Sequence, residues 1–146
     1  MKISIISFAL ACVVAALPFT AQALENQGGA SLVALTPGDI RWEPQPNRPT
    51  GFMQFPLWGP LDGFHARFIK WPAKAVIPLH KHTADHRMVV ISGTYLYGVN
   101  QQPEKPYGPG SFIMTPGGTP HTAGCPEGCI FYEEVSGTAD ASPVSK

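Results

Sequence analysis

Pro78-Leu79-His80-Lys81-His82-Thr83-Ala84-Asp85-His86 and Pro116-Gly117-Gly118-Thr119-Pro120-His121 hold four of the protein's five histidines. On an extended strand residues i and i+2 share a face, so His80 and His82 point the same way and can offer two imidazole nitrogens to one ion. A turn through Thr83-Ala84-Asp85 returns His86 beside them. The Gly/Pro turn before His121 sets that residue down on a neighbouring strand. A lone histidine is more often an ordinary hydrogen-bonded side chain, but four gathered in two short segments point to one shared divalent cation. Imidazole suits iron, zinc, copper and nickel better than hard, oxygen-loving ions; manganese stays in the set, and availability decides occupancy.

Outward from these segments the chain breaks into short strand-like runs. Residues 64–71 alternate Phe64, Ala66 and Phe68 against His65, Arg67 and Ile69, a period of two. Runs at 76–82, 88–91, 94–99, 111–114 and 130–135 follow, each bounded by Gly, Pro, Asn or Asp. Regular short strands with Gly/Pro turns predict a sandwich or barrel. Upstream, Pro44, Pro46, Pro49, Pro56 and Pro60 forbid a helix and keep most of residues 41–60 out of a central strand. Trp42, Phe52, Phe55 and Trp58, interleaved with them, suit an arm packing aromatics over a sheet. The apolar patch at residues 32–35 is a candidate edge strand.

The 146 residues are enough for one domain with a core. Ten basic residues balance ten acidic ones and only 14% of the chain is charged. That balance excludes the electrostatic footprint needed for nucleic acid or anionic membrane surfaces. The division along the chain is a signal peptide at 1–23, an N-terminal arm with an edge strand at 24–60, a barrel at 61–135 and a disordered tail at 136–146. Lys2, an apolar run from Ile3 to Leu17, Pro18 and Ala21-Gln22-Ala23 form the signal. They predict a periplasmic or secreted protein with no membrane contact after cleavage. A lipoprotein anchor at Cys12 is the weaker alternative. In an exported chain the two remaining cysteines, Cys125 and Cys129, are expected to form a disulfide.

The two histidine segments resemble the paired motifs of the cupin superfamily, G-x5-H-x-H-x(3,4)-E-x6-G and G-x5-P-x-G-x2-H-x3-N. His80, His82 and Gly93 sit at the first spacing, and Gly110, Pro116, Gly118 and His121 at the second. Lys74 stands in place of the first motif's Gly, Cys125 in place of the second motif's Asn, and His86 in place of its Glu. The resemblance implies an all-β, double-stranded β-helix (jelly-roll) cupin barrel, here with a Pro-rich N-terminal arm, and a metal held by His80, His82, His86 and His121. It also leaves open a three-histidine site with His86 beside it, and a homodimer formed through the arm.

Four neutral imidazoles leave the full +2 charge on the ion, which lowers the pKa of bound water and attracts an anionic ligand. The expected function is therefore binding of a small, anionic molecule at a metal, with dioxygenase-like chemistry. The alternatives are a non-catalytic metal- or ligand-sensing module and a metal-dependent lyase, isomerase or hydrolase. Two further residues are candidates: Arg67, to pair with a substrate carboxylate, and Glu134, or its neighbour Glu133, as an inward general base.

Overall fold

The computed structural model describes residues 33–144. The signal-peptide and Cys12 readings fall outside them. Two compact units divide the chain, residues 1–39 and 40–146. In the first, the described residues form a single 3-10 turn, Pro37–Asp39, closed by the Asp39 carboxylate accepting from the Thr36 amide at 2.7 Å. The candidate edge strand does not form at residues 33–36; Val33 and Leu35 are exposed.

Among the described residues the second unit holds nine strands: β1 (Glu43–Pro44), β2 (Met53–Trp58), β3 (His65–Lys81), β4 (His86–Gly93), β5 (Tyr95–Val99), β6 (Lys105–Tyr107), β7 (Phe112–Thr115), β8 (His121–Val135) and β9 (Ser142–Pro143). Two of them, β3 and β8, are long antiparallel partners that serve two curved layers. Residues 65–71 of β3 pair with 129–135 of β8, flanked by β2 and β1 on one side and β4 and β7 on the other. Residues 73–80 of β3 pair with 121–127 of β8, flanked by β9 and by β5 with β6. This is the two-layered jelly roll expected of the sequence.

The runs at 64–71 and 76–82 are thus one strand. Pro72 and Lys74 read as breaks, yet the strand bends through them. Lys74 takes the left-handed φ of 62° that the motif's glycine would supply, a conformation costing an L-residue about 1–2 kcal/mol. Across the bend, Cys125 and Cys129 are joined in a disulfide around the turn at Gly128. The motif glycine that is retained, Gly93, has φ 75°, and a Cβ there would run into the Gly128 carbonyl oxygen.

The arm contributes more strand than its prolines suggest. Five of the six residues of β2 pair with β3, and Pro56, which has no N–H to give, sits where the register shifts between Pro56 and Trp58. Between the layers Ile69, Trp71, Ile77, Met88, Val90, Tyr95, Ile113 and Phe131 form the core. Phe131 meets Trp71 and Tyr95 edge-on, with centroids 5.2 and 5.1 Å away; truncating such a ring costs about 3–5 kcal/mol.

The composition of residues 136–146 predicts disorder, but residues 136–144 return to the barrel. Ser142 pairs with Lys81 and Pro143 with His80, and the Val144 amide donates to the Leu79 carbonyl at 3.2 Å. Backbone pairing with an open strand edge needs no apolar side chains, which is why composition misses it. Among the described residues no helix is long and apolar enough to cross a membrane.

Candidate metal centre and cavity

The four clustered histidines come from both layers. His80 and His121 are register partners on β3 and β8, His86 opens β4 opposite Val135, and His82 lies in the turn between β3 and β4. The ligating nitrogens of His80, His82 and His121 lie within 4.8 Å of one another, a group able to hold a metal ion. The His86 ring stacks on that of His82, with centroids 3.9 Å apart.

Each of the four rings has its Nδ1 against an acceptor. His80 Nδ1 donates to the Pro78 carbonyl and His121 Nδ1 to the Thr119 carbonyl, both at 2.9 Å. His82 Nδ1 donates to the Asp140 carbonyl, and His86 Nδ1 to Oε1 of Glu133 at 3.0 Å. A carbonyl or carboxylate oxygen only accepts, so a proton sits on Nδ1 in every ring, and in the neutral tautomer this selects Nε2 carries the lone pair. Nε2 of His80 and Nε2 of His82 are 3.1 Å apart. Two lone pairs at that separation repel unless a cation lies between or beside them. Nε2 of His86 is buried with no hydrogen-bond partner. This donor set, with its tautomers fixed from behind, fits a divalent transition metal ion.

Electrostatics agree with neutral rings. Burial, with the His121 ring next, brings His80 down to about 4 from the ordinary 6.5. Burial, then the His86 ring, brings His82 down to about 3. Burial also lowers His121.

Behind His86 lies a buried polar chain. Glu133 Oε2 accepts from Arg67 Nε and Nη2, both at 2.7 Å, while Arg67 Nη1 donates to Oε1 of Gln54 at 2.9 Å. Burial alone would raise the Glu133 carboxyl, but the Arg67 charge and then the His86 hydrogen bond hold it well below the usual carboxylate range. Strand alternation therefore turns Glu133 inward. Its neighbour Glu134 faces the other way, where Oε1 accepts from Arg87 at 3.3 Å and Oε2 from the Tyr132 hydroxyl at 3.4 Å. Arg67 does point inward, as the alternation allowed, but all three of its nitrogens are engaged within the protein. Phe64 is 54% exposed, so on this strand phenylalanine faces out and arginine in.

Beside the histidines is a cavity of about 540 Å³. Ile69, Trp71, Ile77, Met88, Tyr95 and Phe131 give it an apolar waist, and Arg48, Arg67, Glu133 and Asp140 its charged groups. Burial raises the Tyr95 hydroxyl well above its ordinary value, so it stays protonated. Sequence reasoning missed Arg48 and Asp140. Asp140 acts through its backbone carbonyl, which leaves no side-chain signal, and Arg48 is hidden among prolines.

Residues 30–136 match the family model described as the ChrR cupin-like domain. No curated protein matches the sequence. Among solved structures, the putative ethanolamine utilization protein EutQ of Salmonella typhimurium aligns at 15% identity over 80% of this chain and 94% of its own, with a TM-score of 0.65. The polyketide cyclase RemF of Streptomyces resistomycificus aligns at 20% over 79% of this chain and 87% of its own (TM-score 0.64). The DMSP lyase DddQ of Ruegeria pomeroyi aligns at 20% over 73% of this chain (TM-score 0.57), and the chain spans 61% of that lyase. At these identities the likeness is one of fold.

Proposed function

The chain belongs to the ChrR cupin-like family, and from that premise we propose that it is an exported cupin holding one divalent transition metal through His80, His82, His86 and His121 and receiving a small anionic molecule in the adjoining cavity. The observation that carries this is the uniform tautomer: four rings with Nδ1 tied back and Nε2 free, one of them buried without a partner.

When bound, the metal supplies Lewis acidity, polarising an oxygen of the ligand or of water. Four neutral imidazoles leave its +2 charge uncompensated, which favours this role over dioxygenase-like chemistry through an oxidised ion. The chain's own groups do the rest. Glu133 keeps the His86 proton on Nδ1, the apolar waist excludes water from the ligand's body, and the neutral Tyr95 offers a hydrogen bond rather than a charge. A lyase, isomerase or hydrolase step is compatible with that inventory.

The test is elemental mass spectrometry on untagged protein purified from its native compartment, beside a His80→Ala/His121→Ala variant. Near one equivalent of iron, zinc, copper, nickel or manganese, lost in the variant, is expected. Wild-type protein that takes up none of these, even after equilibration with each, overturns the metal site.

A further inference from the structure

We propose that Arg48 is the carboxylate-recognition residue of the cavity, and that the ligand is a small organic carboxylate with an apolar body, an assignment that rests on the metal site proposed above. Two arginines line the cavity. Arg67 is already committed: Glu133 balances its charge and takes Nε and Nη2, and Gln54 takes Nη1. Arg48 is half-buried and, among the described residues, makes no hydrogen bond or ion pair. Its guanidinium lines the cavity without a protein acceptor among the described residues, and a carboxylate is its planar, bidentate match.

The loop that carries Arg48 is built to hold it still. Pro46 and Pro49 flank it with fixed φ, and Asn47 before it takes the left-handed φ of 57°. The Gln45 amide donates to the Phe52 carbonyl at 2.9 Å, and the buried Gln45 side chain accepts from Trp71 Nε1 at 3.1 Å. The main chain that carries Arg48 therefore needs little reordering when a ligand arrives. Burial lowers its pKa, with Glu133 and Tyr95 opposing and Arg67 reinforcing the shift. A partly desolvated guanidinium therefore gains from an incoming anion.

Charge and shape select the ligand class. In the lining, Arg67 and Glu133 cancel, and Asp140 is engaged by the Thr83 amide at 3.0 Å. Among the described residues of the lining, Arg48 is the cation without a carboxylate partner. One guanidinium suits one carboxylate. A phosphate dianion would call for further donors, and no lysine lines the cavity. The apolar waist of Ile69, Trp71, Met88 and Phe131 accommodates a hydrocarbon or ring body.

Benzoate is a suitable probe and benzamide its uncharged isostere. Calorimetric titration of metal-loaded wild-type protein should show benzoate binding that Arg48→Gln weakens about tenfold or more, Arg48→Lys weakens less, and benzamide binding that neither variant alters. Thermal melts and metal content of the variants should match wild type, because Arg48 holds neither fold nor ion. Equal benzoate affinity in Arg48→Gln, no benzoate binding to wild type carrying one equivalent of metal, or Arg48-dependent binding of inorganic phosphate in place of benzoate would each overturn the assignment. Repeating the titration on chelator-stripped protein separates the two readings. Arg48-dependent benzoate binding in a protein that never takes up metal supports the carboxylate site and overturns the metal centre alone.

Discussion

Glu133 and His86 face each other across the adjacent strands β8 and β4, carboxylate to imidazole at 3.0 Å, with both side chains buried. The bond fixes the tautomer of His86, and the second carboxylate oxygen neutralises Arg67. Glu133→Gln leaves a buried guanidinium without its counter-ion, at a cost of about 3–5 kcal/mol. It also loosens the hold on His86, for which a 10–100-fold loss of metal affinity is expected. Urea unfolding and competition against a chromophoric chelator measure the two effects separately.

The same chelator competition distinguishes a four-histidine from a three-histidine centre. His82→Ala is expected to lower affinity by at least an order of magnitude. A comparable loss in His86→Ala, with a changed visible spectrum in the cobalt-loaded protein, places His86 on the ion. An unchanged spectrum in His86→Ala assigns it a role beside the metal instead.

Ending the chain at Ser136 removes the Asp140 carbonyl that orients His82 and the β9 pairing beside His80. The barrel strands stay complete, so a folded protein with about tenfold or more weaker metal binding is expected. Circular dichroism and metal titration on the shortened chain check both halves of that statement.

The metal-stripped protein should be acid-sensitive in a defined window. In the unfolded chain these histidines take up protons near the ordinary 6.5, whereas folded His80 does so only at about 4 and His82 at about 3. Between those values the unfolded state binds more protons, so stability is present above pH 6.5 and is lost as pH falls toward 3. For His80 alone the difference amounts to about 3 kcal/mol. Urea midpoints should be level from pH 8 to 7 and fall between 6.5 and 4; a level profile through that window contradicts the buried neutral rings.

At the bend of β3, Lys74→Gly replaces a strained left-handed lysine with the residue suited to that φ. After the greater chain entropy of glycine is set against it, a gain of about 0.5–1 kcal/mol is expected. Thermal unfolding measures it, and a loss would mean that the lysine side chain contributes contacts beyond its backbone.

What was legible in the sequence was whatever rests on local spacing. His80 on its strand, His86 after a three-residue turn and His121 after a Gly/Pro turn lie where local spacing put them, whereas His82 joins them from the turn rather than from the strand face. Which face of β3 is inner was not legible, because Phe64 and Phe68 compete with Ile69 for the interior and a buried Arg67 becomes tolerable only once Glu133, far along the chain, lies beside it. The union of two runs into β3 was hidden by Pro72 and by a lysine adopting a glycine's conformation. The return of residues 136–144 depends on main-chain bonding alone.

The two layers of the barrel meet through β3 and β8 but open away from them, like covers about a spine, and the histidines stand on opposite covers. In the proposed four-histidine centre, an ion bound to His86 on one layer and to His80 and His121 on the other would act as a clasp, so its residence time should lengthen with anything that slows the parting of the covers. Amide exchange along β5 and β7, which carry none of the proposed ligands, would then slow on metal loading.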